Sequence, residues 1–305
     1  MDSSARWIDQ LVGAEPGPTL LVVGAVHGNE PAGVTAARRV LGRLRASGVS
    51  VAGEVVGVVG NVRALAAGQR YLAHDLNRQW TADRMAAARA AANEVPEVME
   101  VIELAGAIDD VLARARGPVF ALDLHTTSAA GIPFAVVGET DHHRVFADHF
   151  PLPCIVGLEA QLEGVLTGHL SRLGCVTLAV EGGQSQSAEA LANLEAAITI
   201  ALSAAGVAAR EQVPGHAAAR ELLSRARGDL PHLIEVVARH EVLPEHGFRM
   251  EPGFANIQRT GAGTLLARDG GGEIRAPFDG LVLLPLYQPQ GADGFFYARE
   301  LAVSG

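Results

Sequence analysis

Short, almost continuously apolar runs, each closed by polar residues, constrain the fold of this 305-residue chain more than any other feature. Residues 19–25 (TLLVVGA) form the first such run. A polar turn and then a segment with apolar residues at helical spacing follow it. Continuous Val, Leu and Ala, in place of strict alternation, is typical of strands that are covered on both faces. The pattern predicts an α/β fold, with a mixed sheet between helices.

The pattern of an apolar run with a polar end returns along the first two thirds of the chain. Further strands are predicted at 51–60, 118–128, 133–139 and 175–183. Helices are predicted at 34–47, 82–92, 96–116, 164–173 and 187–205. Beyond Gly206 the sequence changes, first to a connector with some helix at 211–232 and then to short strand-like stretches punctuated by glycine and proline. We therefore expect an α/β domain at 1–207 and a smaller β-rich domain at 208–305.

The composition limits the kinds of molecule that the chain is expected to bind. The formal net charge is −10, which disfavours binding to nucleic acid through its phosphates. No apolar run approaches the roughly 20 residues of a membrane span, and residues 1–10 lack the apolar core of a signal peptide. The two cysteines, Cys154 and Cys175, have apolar neighbours and no C-x-x-C spacing, which favours reduced thiols. We expect a cytoplasmic protein without nucleic-acid or membrane partners, and the sequence leaves a homo-oligomer open.

Two predicted strand ends carry residues that are suited to a metal ion. His27 and Glu30 lie three positions apart in the turn after the first strand, and His125 ends the strand at 118–128. Strand ends of open α/β sheets converge on one crevice, and zinc accepts both imidazole nitrogen and carboxylate oxygen. Asp123 lies on the same face of its strand as His125, where it could orient the imidazole. Together these residues predict a zinc site, although each motif alone also fits an ordinary polar turn.

Two further motifs supply groups for chemistry. Glu181 ends the apolar run TLAVEGG, where a carboxylate beside a metal-bound water could act as general base. Arg70 is followed closely by Asp75-Leu76-Asn77-Arg78 (DLNR), and arginine offers a fork of donors that matches a carboxylate. A simple turn at Glu181 and an ordinary surface charge at Arg70 are the alternatives.

At these residues the chain resembles the succinylglutamate desuccinylase/aspartoacylase family, a branch of the zinc carboxypeptidase-like hydrolases. The resemblance covers nearly the whole chain and is strongest at HGNE, at RY followed by DLNR, at DLHTT and at VEGG. It implies a phosphorylase/hydrolase-like α/β domain and a smaller β domain across the active-site mouth. Residues 272–285 (GEIRAPFDGLVLLP) also resemble a barrel-sandwich module, but they lack a lysine that could carry a cofactor.

The resemblance also implies roles for individual residues. It implies one Zn²⁺ per chain. Arg70 would stabilise the oxyanion, and Asn77 and Arg78 would bind a substrate carboxylate. Tyr297 would be a substrate-binding residue from the C-terminal domain. The residues implied for the metal and for the general base are His27, Glu30 and His125 for zinc, and Glu181 as the base.

The resulting expectation is a zinc-dependent amidohydrolase that cleaves a small, anionic N-acyl amino acid by Glu-assisted attack of zinc-bound water. Upstream of Glu181, Thr167 and Ser171 stand at about the places where aspartoacylases have a tyrosine and an arginine, so the acyl group and the amine half stay open. A zinc carboxypeptidase or amidase that acts on short peptide-like substrates is the alternative enzyme. A non-catalytic binding protein of the same fold is the alternative from another class.

Overall fold

A computed structural model describes residues 6–91, 95–243, 247–288 and 290–301, in which strands are interspersed with helices as far as residue 204. The strands in chain order are β1 (Trp7–Val12), β2 (Thr19–Gly24), β3 (Glu54–Val59), β4 (Val119–Thr127), β5 (Phe134–Val137), β6 (Cys154–Val156), β7 (Val176–Gln184), β8 (Leu233–Glu241), β9 (Arg249–Met250), β10 (Gln258–Thr260), β11 (Leu265–Asp269), β12 (Gly272–Arg275), β13 (Gly280–Leu283) and β14 (Asp293–Glu300). The helices are α1 (Ala32–Ser47), α2 (Val62–Ala67), α3 (Ala82–Ala90), α4 (Pro96–Arg114), α5 (Asp141–Ala147), α6 (Leu166–Arg172), α7 (Ala188–Ala204) and α8 (His216–Arg227).

One large mixed sheet runs through the described residues, in the order β1-β3-β2-β4-β7-β5-β6-β8-β14-β13-β10. Its centre, β3-β2-β4-β7, is parallel. Strand β5 pairs antiparallel with β7, and β8, β14, β13 and β10 form an antiparallel extension. Strands β12, β11 and β9 form a separate small sheet. The predicted mixed sheet with a β-rich C-terminal region is therefore confirmed.

Both faces of the central strands are covered, as their continuous apolar sequences predict. In β2, Leu20 and Val22 belong to one core cluster, whereas Leu21 and Val23 belong to a second cluster on the opposite face. All four side chains are fully buried. Helices α1 and α7 supply residues of the first cluster, and α3, α4 and α6 supply residues of the second. The sheet is thus a rigid layer whose strand ends can hold side chains in fixed positions.

The predicted helices agree with the structure to within a few residues at each end. Strand β1 and helices α2 and α5 were not predicted, because each has seven residues or fewer and a weak apolar period. Helix α8 lies in a stretch that the sequence indicated as a connector with some helix. The division at residue 208 stays a prediction, since the sheet continues across it through the parallel pair β6 and β8.

Two other sequence-based expectations concern the cysteines and membranes. Cys154 and Cys175 are both buried and free, and burial raises the pKa of their thiols to about 12 and about 11. This agrees with the predicted reduced thiols. Within the part of the chain that the structure describes, every helix is too short or too polar to cross a membrane.

A pair of glycine substitutions tests how closely α1 packs on the sheet. A Cβ at Gly24 would lie 2.7 Å from the backbone of Gly33 in α1, whereas a Cβ at Gly42 would meet nothing within 4 Å. We expect Gly24→Ala to lower the free energy of unfolding by about 1–3 kcal/mol, because helix and strand must separate. The control Gly42→Ala should raise it by roughly 0.5–1 kcal/mol through helix propensity. Urea denaturation measures both changes in the free energy of unfolding. Equal effects of the two substitutions would contradict the close packing of α1 on β2.

Candidate metal centre and pocket

Three neighbouring parallel strands bring the candidate residues to one edge of the sheet. His27 and Glu30 follow the end of β2, His125 lies near the end of β4, and Glu181 lies in β7. His125 and Glu181 are directly paired in the register of β4 and β7. Paired residues on adjacent strands are about 5 Å apart. The sheet alone therefore places the candidate base beside a candidate ligand.

The turn after β2 aims its two side chains back across the strand ends. Ala25 has a φ of +57°, which is uncommon for a residue other than glycine, and the chain bends sharply there. The Glu30 N–H then donates to the His27 carbonyl over 3.1 Å, which closes the turn. A Cβ at Gly28 would lie 2.1 Å from the backbone of Ala64, so only glycine fits at that position. The HGNE motif is thus a tight turn that faces the pocket.

Glu30 lies between the two imidazoles and contacts both of them. Its Oε1 is 3.0 Å from Nδ1 of His27, and its Oε2 is 3.2 Å from Nδ1 of His125. The Thr126 N–H also donates to Oε2 over 2.9 Å. The two rings have centroids 5.0 Å apart. Ligand atoms of all three residues lie within 4.8 Å of one another, close enough for one ion to contact all three.

A second carboxylate contacts the far nitrogen of each imidazole. Asp75 Oδ1 lies 3.2 Å from His27 Nε2, and Asp123 Oδ2 lies 3.0 Å from His125 Nε2. A carboxylate at this position fixes the ring orientation and leaves the Nδ1 lone pair free to bind a metal. Asp123 matches the sequence expectation. Asp75, the first residue of the DLNR motif, occupies the equivalent position on the other imidazole.

The chemistry of these donors fits a zinc ion. Zinc favours imidazole nitrogen together with carboxylate oxygen, and three protein ligands leave a coordination position open. Burial opposes the charge of Glu30, yet the imidazoles of His27 and His125 lower the pKa of its carboxyl group below the usual range. Burial likewise opposes charge on His125, but Asp123 and Glu30 raise its pKa well above the usual value. The site thus favours positive charge between the imidazoles and Glu30, as a cation would supply.

Glu181 differs from Glu30 in its electrostatic environment. Burial raises the pKa of Glu181 to about 7, and the negative charge of Glu30 acts in the same direction, against His125, His27 and Arg70. Its Oε2 is buried and has no hydrogen-bond partner among the described residues. A carboxyl group with a pKa near neutrality and an unused oxygen in a cleft is suited to proton transfer.

Arg70 reaches the metal-ligand cluster, whereas Asn77 and Arg78 line the pocket farther out. The Arg70 guanidinium donates to Glu30 and to Asp75, over 3.3 Å in each case. Asn77 accepts the Leu166 N–H through Oδ1 over 2.8 Å and lines the pocket. Arg78 also lines it, but its guanidinium donates to Asp293 over 2.6 Å. A substrate carboxylate at Arg78 would therefore compete with Asp293.

The structure does not bring Tyr297 to the pocket. Its side chain is 1% exposed and packs in the core of the C-terminal region. Its hydroxyl contacts the Thr260 hydroxyl over 2.8 Å and the Phe278 carbonyl over 2.7 Å. In β14 the neighbouring side chain, Phe296, faces the pocket in its place. Tyr297 is therefore left out of the proposed site, because strand alternation turns it to the opposite face.

The pocket is small and holds residues that the sequence analysis missed. The cavity has a volume of about 140 Å³. Glu159 and Thr167 lie on one wall, and the segment around Leu284–Leu286 together with Asp293 forms another. Thr167 was noted in the sequence through the resemblance, whereas Glu159 and Asp293 belong to no recognised motif, so only the fold reveals those two. The C-terminal region therefore contributes part of the pocket wall.

Glu97 holds the loop that carries Arg70 and Asp75, and it too was missed. Its carboxylate is fully buried and accepts the backbone N–H groups of Leu72, Ala73 and His74 over 2.7, 2.8 and 3.1 Å. Asn61 Nδ2 donates to the same group over 3.2 Å. Burial opposes its charge, but these donors lower the pKa of Glu97 below the usual value. A Glu in the first turn of α4 reads in the sequence as an ordinary helix start, so no signal marked it.

Comparison with known proteins gives one consistent result. The family model described as "Succinylglutamate desuccinylase/Aspartoacylase catalytic domain" matches residues 16–205. A succinylglutamate desuccinylase from Burkholderia pseudomallei (strain 1710b) is 27% identical over 285 residues, covering 87% of this chain and 76% of that protein.

Solved structures of similar fold cover almost the whole chain. A succinylglutamatedesuccinylase/aspartoacylase from Rhodobacter sphaeroides has a TM-score of 0.71 and 20% identity, covering 97% of this chain and 88% of its own. A succinylglutamate desuccinylase from Vibrio cholerae has a TM-score of 0.66 and 15% identity, covering 95% and 84%. Murine aminoacylase 3 has a TM-score of 0.61 and 18% identity, covering 95% and 97%. At these identities the likeness shows a shared fold.

Replacing Glu97 by Gln tests its role in holding the loop. Because the pKa of Glu97 is lower in the folded than in the unfolded chain, its ionised form stabilises the fold above the unfolded pKa, and this stabilisation falls as the pH drops through the folded value. We expect Glu97→Gln to lower the free energy of unfolding by about 1–3 kcal/mol at pH 7. The difference from the wild type should shrink below about pH 4.5. Chemical denaturation at pH 7 and pH 4 measures this difference in the free energy of unfolding. A difference that is larger at pH 4 than at pH 7 would contradict the role of Glu97 in holding the loop.

Proposed function

Because the chain belongs to the succinylglutamate desuccinylase/aspartoacylase family, we propose that it is a zinc-dependent hydrolase that cleaves the amide bond of a small N-acyl amino acid. One observation carries the proposal. Glu181 stands in register with His125, beside the cluster of His27, Glu30 and His125, and its Oε2 has no partner among the described residues. The relatives include proteins named as desuccinylases, as a desuccinylase/aspartoacylase and as an aminoacylase.

The proposed roles of the chain's own residues follow from their positions. His27, Glu30 and His125 would hold one zinc ion, and Asp75 and Asp123 would orient the two imidazoles. A zinc ion bound there would lower the pKa of a coordinated water towards about 7 and polarise the scissile carbonyl.

Glu181 removes a proton from the attacking water and later delivers it to the departing amine nitrogen. Its pKa of about 7 suits both steps, since the group can accept and release a proton near neutrality. Arg70 stabilises the negative charge that develops on the carbonyl oxygen, because its guanidinium lies against the ligand Glu30. Asn77 and Arg78 bind the carboxylate of the amino-acid half at the outer wall of the pocket.

The small pocket favours small substrates over peptides. We propose that residues 208–305 form the cover of the mouth, since Leu284, Leu286 and Asp293 line the pocket. The barrel-sandwich character of this region, the cytoplasmic location and homo-oligomerisation stay predictions. A panel of N-acyl amino acids set against short peptides separates the leading activity from the carboxypeptidase alternative, because faster cleavage of peptides would favour the latter.

Replacing Glu181 by Gln separates proton transfer from metal binding. We expect Glu181→Gln to keep its zinc and lose about 10²–10⁴-fold in kcat, because the amide has nearly the same shape but cannot accept the proton. As a matched comparison, His125→Ala should lose both zinc and activity. Zinc content by mass spectrometry and turnover of N-acyl amino acids measure the two effects. Near-wild-type turnover in Glu181→Gln would overturn its role as base.

A further inference from the structure

The pocket contains a carboxylate that the proposed mechanism does not use. Glu159 lies on the pocket wall, in a short turn before α6, and its Oε1 accepts a hydrogen bond from the Thr167 hydroxyl. Within the described ranges it forms no ion pair with a basic side chain. Burial raises the pKa of Glu159, and the negative charges of Asp123 and Glu139 act in the same direction, against the Thr167 bond. A partly buried carboxylate without a counter-charge is costly, and the cost falls when a cation binds.

The charges on the rest of the pocket wall also favour the binding of a cation. The described lining includes six carboxylates and two guanidinium groups, and Arg239 contacts one of those carboxylates, so a bound divalent ion would leave one negative charge unbalanced. Both guanidinium groups already contact carboxylates, since Arg70 contacts Glu30 and Asp75, and Arg78 contacts Asp293. Asp293 is shared further, with the Nε of Arg239 at 2.6 Å. A substrate with two carboxylates would find little unpaired positive charge here.

The position of Glu159 assigns it to the amino-acid half of the substrate. Asn77, a proposed carboxylate-binding residue, accepts the backbone N–H of Leu166. Thr167, which contacts Glu159, is the next residue of α6. The wall that would bind the amino-acid carboxylate thus continues directly to Glu159.

We propose that Glu159 binds a positively charged group on the side chain of the amino-acid half, so that the substrate is an N-acylated diamino acid and not an N-acylated acidic amino acid. This inference rests on the proposed function. The substrate would then carry a cation at Glu159 in addition to the carboxylate bound by Asn77 and Arg78. The Thr167 hydroxyl orients the Glu159 carboxylate, and the ammonium group of the substrate would supply its missing counter-charge.

Binding of the free amino acids tests the proposal without requiring turnover. The probes are L-ornithine, its neutral analogue L-norvaline and L-glutamate, titrated calorimetrically into the zinc-loaded protein. We expect ornithine to bind at least about tenfold more tightly than either of the others, as a charge-assisted contact in a partly buried pocket provides. In Glu159→Gln, which keeps an oxygen for Thr167, the preference over norvaline should disappear.

A matched control uses the nearby Glu163, whose side chain is 77% exposed and whose ion pair is with Arg84. Glu163→Gln should leave the ornithine preference unchanged. The proposal is overturned if ornithine binds no better than norvaline or glutamate. It is also overturned if Glu159→Gln weakens ornithine and norvaline equally, since that result indicates a structural role only.

Turnover of the Nα-acetyl and Nα-succinyl derivatives of the same three amino acids distinguishes this inference from the proposed function. If the norvaline derivatives are cleaved as well as those of ornithine, the proposed function stands and the role of Glu159 fails. If no derivative is cleaved but ornithine binds through Glu159, the role of Glu159 stands and the hydrolase proposal fails.

Discussion

The parallel pairing of β2, β4 and β7 is the constraint on which the rest of the site depends. It places His125 opposite Glu181 in register and brings the turn after β2 to the same edge. The candidate metal ligands and Glu181 lie on the strands or in the short turn after β2. Arg70 and Asp75 lie on the segment that is held by Glu97. Because the strands are buried on both faces, a shift in register would move the core as well as the site. The register of the sheet therefore fixes the relative positions of His125 and Glu181.

Electrostatics then give two neighbouring carboxylates different properties. Glu30 lies between two imidazoles, which lower its pKa, whereas burial raises the pKa of Glu181 to about 7. One carboxylate is thereby suited to bind a cation, and the other is suited to exchange a proton. Pairs of acidic groups whose environments separate their pKa values commonly mark acid–base sites. Asp75 and Asp123 complete the arrangement, because each fixes one of the imidazoles.

The parts of the fold that follow from continuous apolar runs could be predicted from the sequence, and so could the residues at their polar ends. His27, Glu30, His125 and Glu181 belong to this group, since each lies near the carboxyl end of a buried strand or in the turn after it. Strand β1 could not be predicted, because it is a short edge strand with mixed polarity. The position of Tyr297 depends on which face of β14 meets the pocket, and no sequence period settles that.

Residues that act through folded geometry alone were beyond the reach of the sequence. Glu97 acquires its role from three backbone N–H groups of a loop more than 20 positions earlier in the chain. Glu159 and Asp293 reach the pocket from segments that have no motif, and their significance comes from the charges around them. The specificity of the pocket therefore had to be inferred from the structure, whereas its chemistry was already indicated by the sequence.

We propose that one zinc ion binds between the Nδ1 atoms of His27 and His125 and the carboxylate of Glu30. Anomalous diffraction at the zinc edge, from crystals of the zinc-loaded protein, tests it most directly. We expect one strong peak at roughly 2.0–2.2 Å from these three ligands. A peak held by other residues, or zinc-loaded crystals with no peak at this cluster, would contradict it.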